Sequence, residues 1–591
     1  VASLAACSTG GGRDWVEERR WVKGVQTGRK AGRRQESLPH IGGLHHKSRL
    51  RHENSLSHEE SLAHKNGLPH GKRSLYSKVC PRGCGGSYRQ RSALLALALW
   101  ENREPRMHSM SAVLFWILGF WMWQQGAAPA PEPLLRVNVN GTPVRLYPFH
   151  GGYFGQFELA KPAEVVVQAG FDVRWVDVRP MSFGVIPQIS PDHSSVRLRV
   201  PRPMPLTLEF NGDWRRNVIH LFAQPPEKNA PKPDTPNVKY FGPGEHEPGL
   251  IELKDGETLY LAQGAFVKGI VRSVGTKNVT IRGRGILDAS RLARRGEPGA
   301  PPDPAVAKLY GKQRNMIYLE NTENAAVEGI TLLNSQSWTL HVRGGRGTHI
   351  DGINMITDTP CSTDGIDLVS VSDALVENIF VRANDDCVVV KNTVPGSNEV
   401  RNIRVRRAVL WNMPCGNGIE VGFELRAAKI HELHFEDIDI IRVERGAAIS
   451  IHNGDTAVVE NVSFNNIRVE GATHKLIDFA VVYGQYGPDR PERPEDRRRL
   501  MDVGGAWDGV LRVPPEEMAE RAKNRGHIRN VKVTNLHVVD GGLPFSLISG
   551  FDEGHAVENV VIEGMRYLGR PIRDAKEGKF SVAHAPGFRI R

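Results

Sequence analysis

Beyond about residue 134 the chain reads as short alternations of apolar and polar residues, with little of the three-to-four spacing of an amphipathic helix. Arg136–Asn140, Ala163–Val167, Val173–Val176, Val196–Val200 and Leu206–Phe210 each alternate and are separated by Gly, Pro or Asn. That pattern predicts a small β-sandwich over residues 131–224. From residue 238 to 591 the alternations fall into a repeat. The signature apolar, then Glu, Asp or Arg, then Gly or Asn, then apolar occurs at Val327–Ile330, Ile350–Ile353, Val376–Ile379, Val459–Val462 and Val557–Val560. Looser copies stand at Val400–Ile403 and Ile528–Val531. The first three copies step by 23 and 26 residues, and a period in the twenties predicts a solenoid. The units hold β-branched strands broken by Asn, Asp and Gly, without a Leu ladder or an internal helix. The predicted fold class is therefore all-β, a right-handed parallel β-helix preceded by a β-sandwich. A Pro-rich, stiff linker at 225–237 joins the two. At 483–524 prolines, charged residues and a helical stretch replace the rung pattern. This is an insertion that either decorates the solenoid or projects over its binding face.

Charge changes this picture only at the N-terminus. The chain has 591 residues and a net charge of +11, which alone would suggest a nucleic-acid or membrane partner. Residues 1–106 hold 20 Lys+Arg and 9 Asp+Glu, leaving 57 of each sign in the remainder (77 less 20, 66 less 9). The body is formally neutral, and no nucleic-acid partner is expected. Within 1–106, Leu recurs every sixth residue from Leu38 to Leu68 and His from His40 to His70. One apolar residue in six cannot build a core, so this segment reads as a disordered or non-native leader, with a His-rich metal tract as the alternative. Residues 107–130 follow as an apolar run, Ser111–Trp123, and then small residues near Ala128 and Ala130. This reads as a signal peptide, with a single membrane anchor as the alternative. The expectation is a secreted or periplasmic monomer without stable membrane association after cleavage. Three cysteines remain beyond the leader, Cys361, Cys387 and Cys415; one disulfide and a buried stack are both compatible with their spacing.

Candidate chemistry comes from two acidic clusters one repeat apart, Thr363-Asp364-Gly365-Ile366-Asp367 and Asn384-Asp385-Asp386-Cys387. Rungs of a β-helix stack about 4.8 Å apart, so Asp364, Asp385 and Asp386 should converge on one face. The segment Gly416–Glu420 should join them one longer rung later. Paired carboxylates on a rigid face suit glycosidic-bond hydrolysis. Asp351, Asp367, Asp373 and Asn384 are instead expected to serve turns and ladders.

With Asn334–His341, Ser362–Asp367 and Asn384–Lys391 in this order and spacing, the chain resembles glycoside hydrolase family 28, the polygalacturonases, over about residues 238–470. It is also similar to family 49, the dextranases and isopullulanases, which place a β-sandwich before the β-helix. The resemblance implies a pectin-lyase-like β-helix and an inverting hydrolase of a polysaccharide, pectic by the first comparison and a glucan by the second. It implies Asp385 as general acid and Asp364 with Asp386 as the pair that activates water, with no cofactor and no metal. An inverting acid and base are expected about 6.5–9.5 Å apart. Asn417, Glu420, Trp338, His341, Lys391 and His452 are the expected substrate-binding residues. Glu420 and Glu424 either bind sugar hydroxyls or are plain strand acids, and Trp338, Trp411 and Phe423 either stack on sugars or belong to the core. Two departures bear on the substrate. Gly416-Asn417-Gly418 stands where polygalacturonases carry Gly-His-Gly, and Ala448–His452 stands where they carry the Arg-x-Lys that binds a uronate. The alternatives to a hydrolase are a polysaccharide lyase, with Lys391 the nearby candidate base, and a non-enzymatic glycan-binding β-helix.

Overall fold

The computed structural model describes residues 134–292, 304–311, 313–357, 362–394, 399–501 and 510–591. The segments expected to be a leader (1–106) and a signal peptide (107–130), with Cys361 and Trp507, lie outside the described residues.

Two five-stranded sheets come first. One orders Thr142–Val144, Leu135–Val139, Ala163–Ala169, Ser195–Val200 and Gln188–Ile189, all antiparallel. The other orders Leu146–Phe149, Gly152–Glu158, Val218–Gln224, Met204–Phe210 and Val176–Arg179, with one parallel pair between Gly152–Glu158 and Val218–Gln224. Ser195–Val200 buries alternate residues, as its sequence alternates. Val218–Gln224 is buried at every position. One face of that strand meets the sandwich core, and on the other Val218 and Phe222 pack with Ile286, Ile356, Phe380 and Trp411 of the solenoid. Trp411 is therefore core, wedged near Trp214, His220 and Arg382. Arg179 joins the layers by charge, with Glu209 at 3.0 Å, Glu470 at 2.8 Å and Asp540 at 3.0 Å.

From Val238 onward the strands form one continuous series that pairs in parallel with the next turn of the coil, a right-handed parallel β-helix, apart from a short antiparallel pair of Arg566–Tyr567 with Arg570–Pro571. Ile366–Val369, Val388–Asn392, Ile419–Leu425, Ala447–Asn453 and Lys475–Val481 stack in that order and build one wall. Their inward residues, such as Val388, Val390, Ile419, Val421, Ile449, Ile451, Ile477 and Phe479, belong to the solenoid core.

The repeat signature has a backbone cause, and it differs from a single stack. Asn378, Asn402, Asn461, Asn530 and Asn559 all have φ between 53° and 57°, and Gly329 and Gly352 also have positive φ. Each residue turns the chain through a left-handed corner, which Asn and Gly tolerate better than other residues. However, Asn402 does not stack on Asn378. Its side chain donates to Asp373 at 2.8 Å, while Asn378 accepts from Arg407 at 2.7 Å. Asp373 and Arg407 are themselves left-handed. There are two corner columns with the same conformational demand, and the signature merges them. Asp373 and Asp351 are structural, Asp351 accepting from Asn378 at 2.6 Å.

Candidate active site

Ladder bonds place the acidic clusters on adjacent rungs. Gly365 N–H donates to the Asp386 carbonyl at 2.8 Å and Cys387 N–H to the Asn417 carbonyl at 3.0 Å. Asp364, Asp386 and Asn417 thus follow one another up the coil. One carboxylate oxygen from each of Asp364, Asp385 and Asp386 lies within 4.8 Å of the others. They border a cleft of about 650 Å³ that is also lined by Trp338, Lys391, Gly416, Asn417, Phe423, Glu424, Arg445, His474 and Tyr486. Gly416 has φ +64°, and a Cβ there would collide with Asp385 Oδ1 and the Asp386 backbone nitrogen. No other residue type lets the turn lie this close to both carboxylates.

The three carboxyls have different surroundings. Asp385 Oδ2 accepts from Ser362 N–H at 2.8 Å and Oδ1 from Asp386 N–H at 3.0 Å. Burial, followed by the neighbouring Asp364 charge, nevertheless pushes its carboxyl up to about 7. Asp386 Oδ1 accepts from the Asn417 backbone N–H at 2.7 Å and from Asn417 Nδ2 at 3.1 Å. Burial, then the charges of Asp385 and Glu420, hold its carboxyl well above the usual range. Asp364 Oδ2 accepts from Lys391 Nζ at 3.1 Å. The same ammonium is 3.5 Å from Asp367 and sits 4.0 Å above the Trp338 ring. Burial opposes the lysine's charge, but Asp364 and Asp367 hold it well above its ordinary value.

Asp367, expected to be structural, is fully buried against this group. Burial and Asp364 raise its carboxyl far above normal. His341 is stacked edge-on between Trp338 and Tyr318, and burial with the charge of Lys391 lowers it to about 3, so the ring is neutral.

The structure corrects three expected substrate contacts. Glu420 is 0% and His452 1% exposed, and neither borders the cleft. His341 is also buried behind Trp338. The reason is a cover over the outward face of strands Ile419–Leu425, Ala447–Asn453 and Lys475–Val481. Phe423 stacks flat on His452 at 4.6 Å and packs with Ala480, Val482 and Val510. Lys391, only 6% exposed, reaches the cleft edge but is engaged by carboxylates. Trp338 and Asn417 do border the cleft.

Sequence reasoning missed Tyr486, Arg445 and His474. Tyr486 is 42% exposed, comes from the insertion and packs on Phe423 at 5.6 Å. Its signal was the break in rung pattern at 483–524. Arg445 and His474 sit in turns on successive rungs, with His474 Nδ1 2.6 Å from the Arg445 carbonyl. No motif marks them.

The acid trio could also surround a cation, as could His349, Asp351 and Glu377. Lys391 already pairs with Asp364 of the former. Arg406 at 2.8 Å, together with Arg407, takes up Glu377 in the latter. Cys415 is disulfide-bonded and Cys387 is a buried free thiol. Among the described residues no helix is long and apolar enough to cross a membrane.

Comparison with known proteins places this site in context. The sequence profile of glycosyl hydrolases family 28 matches residues 263–491, the segment that holds all three acids, so the resemblance read from the motifs is borne out there. A probable polygalacturonase of Vitis vinifera is 28% identical over 186 residues, 30% of this chain and 37% of the relative. A probable endopolygalacturonase D of Neosartorya fischeri is 28% identical over 174 residues, 29% of this chain and 32% of the relative. The chain thus spans about a third of the length of these curated relatives. Among solved structures, Dex49A from Penicillium minioluteum aligns with a TM-score of 0.47 at 14% identity, covering 77% of this chain and 93% of its own.

Proposed function

We propose that this chain is a secreted, inverting glycoside hydrolase acting on a pectic polysaccharide, with Asp385 as general acid and Asp364 with Asp386 delivering the water. The observation that carries the reading is the division of roles within the trio. Asp385, raised to about 7, can hold a proton at neutral pH and give it to a leaving oxygen. Asp364 accepts a hydrogen bond from the Lys391 ammonium at 3.1 Å, which fixes its carboxylate at the cleft in the place of the base. Asp386, anchored by two Asn417 donors, presents a second acceptor to the same water.

The spacing is shorter than the range expected of an inverting pair, and this constrains the geometry. A near-attack distance of about 3–3.5 Å plus a C–O bond of about 1.4 Å separates the water from the leaving oxygen by about 4.5–5 Å. Carboxyl oxygens within 4.8 Å of each other can reach one each if they lie beside the reaction axis rather than at its two ends. Proton NMR of the first-formed reducing end tests the stereochemistry. Inverted product supports this arrangement, whereas retained product would make one carboxylate a covalent nucleophile.

The names of the polygalacturonase relatives support a pectic substrate. Arg445, exposed on the cleft wall, is a cation that could meet a uronate in the absence of Arg-x-Lys. Reducing-sugar release from polygalacturonate, rhamnogalacturonan, dextran and pullulan, with Asp385→Asn as control, tests the substrate. Release only from a glucan replaces the pectic reading. A lyase is disfavoured because Lys391, its candidate base, is held protonated between two carboxylates.

A further inference from the structure

We infer that the buried His452 imidazolium is a positioning group for Asp386, acting through Glu420 and Asn417. The inference rests on the hydrolase reading above. His452 lies between two carboxylates, with Nδ1 2.9 Å from Glu420 Oε2 and Nε2 3.0 Å from Asp478 Oδ2. Nδ1 is hydrogen-bonded to Glu420, while Nε2 meets Asp478 as a close charge pair outside hydrogen-bond geometry, and two carboxylates this near on opposite sides favour a positively charged ring. Burial works against that charge, yet Glu420 and Asp478 push the ring up to about 10.

The connection to the cleft is direct. Glu420 Oε2 also accepts from Asn417 Nδ2 at 3.0 Å and from the Ser450 hydroxyl. Asn417 Oδ1 accepts the Ala447 N–H at 2.8 Å, which fixes the orientation of its amide. Nδ2 is thereby aimed at Asp386 Oδ1 as well. Beyond His452, Asp478 pairs with Lys475. The chain from Glu420 to Lys475 alternates minus, plus, minus, plus, and all four residues are buried.

Removing the imidazolium charge leaves Glu420 fully buried and unbalanced. Its charge already opposes ionisation of Asp386, alongside those of Asp385 and Asp364 and against that of Lys391. Asp386 would then keep its proton to higher pH, and the Asn417 amide would lose its fixed acceptor. A merely structural ion pair would lower stability without moving the pH profile.

The test compares wild type, His452→Gln and the double variant His452→Gln/Glu420→Gln as full chains. In the single variant kcat should fall about 10–100-fold with KM within about 2-fold, and the acidic limb of kcat/KM should move up by about one pH unit. The double variant removes the stranded charge and keeps an acceptor for Asn417. It should recover kcat to within a few-fold and return the limb. If the single variant does not fold, the charge-balanced double variant carries the comparison, and its limb should match wild type.

Nitrogen NMR of labelled histidine provides a readout independent of activity: both ring nitrogens of His452 should stay protonated to about pH 9. A neutral ring at pH 8, or a folded single variant with unchanged kcat and limb, overturns the inference. If wild type hydrolyses no polymer, the proposed function fails instead. The ring's charge state and the Asp386 titration, read by carbon NMR in the variants, then decide the inference.

Discussion

Replacing Asp385 with Asn should make the protein more stable relative to wild type as the pH rises, and the size of the change follows from one carboxyl. The folded protein holds the Asp385 proton up to about 7, against an ordinary value of 3.8. Because the folded state binds this proton more tightly than the unfolded chain, the group's contribution is complete below about pH 4. It is lost as the pH climbs through 7. At about 1.4 kcal/mol per pH unit the whole interval has a ceiling of about 4 kcal/mol. About two pH units of it remain above pH 5, a ceiling of about 2.7 kcal/mol. Asp386 shares the repulsion and will absorb part of it, so the expected change is about 1–2 kcal/mol. Asparagine also places an amide group against the N–H of Ser362 or Asp386, which costs stability at every pH. That cost cancels in the difference between two pH values. Urea unfolding of both proteins at pH 5 and pH 8 measures it. A stability difference that is the same at both pH values, or that shifts toward wild type at pH 8, refutes the assignment of a raised carboxyl to Asp385.

The same substitution should lower kcat about 10²–10⁴-fold in a sugar-release assay, and wild-type activity should decline above about pH 7 as the acid loses its proton. Tyr486→Ala should raise KM about 2–10-fold with little change in kcat, since an exposed ring at the cleft stacks on sugars rather than reacting with them. Arg179→Ala should cost about 3–5 kcal/mol in chemical unfolding, because it strands the buried Glu470 and leaves Glu209 with Arg442 alone between sandwich and solenoid. Asn402→Ala should cost about 1–2 kcal/mol for a left-handed corner, while Asn402→Gly should cost clearly less.

The parts of this molecule that could be read from sequence are those set by backbone periodicity. Alternation in Ala163–Ala169 and Ser195–Val200 marked sandwich strands, and the recurring Asn and Gly marked the corners of the coil. Stacking then made the convergence of Asp364, Asp385 and Asp386 a matter of arithmetic. Two corners per rung share one conformational requirement, so sequence could not separate Asn378 from Asn402. Burial of Glu420 and His452 was hidden for a different reason. Alternation showed that both side chains point out of the coil, but whether that face meets water depends on how Phe423 folds over His452 and on Val510, which approaches from elsewhere in the chain. Arg445 and His474 belong to turns without periodicity, and only the fold brings them to the cleft.

The charge balance around the site links these observations. Asp364, Asp367, Asp385, Asp386 and Glu420 crowd one end of the cleft, with Lys391 and His452 the cations in direct contact with them among the described residues. Five crowded carboxyls cannot all ionise against two positive charges, because the low-dielectric surroundings that strengthen each pair also penalise each unpaired charge. The surplus is met by protons, which is why burial and neighbouring carboxylates raise Asp367, Asp385 and Asp386 together. Of the three, Asp367 is shut away, Asp386 reaches the cleft only at its edge, and Asp385 is the most open to it, as the proposed acid must be. The cations that would otherwise serve a uronate are thus used to set protonation within the wall. A charged substrate must be recognised farther along the cleft, where Arg445 stands exposed two rungs above Asp386. Arg445→Ala should accordingly weaken turnover of polygalacturonate through KM while leaving the pH limbs in place, and a shifted limb would instead tie Arg445 to the acid trio.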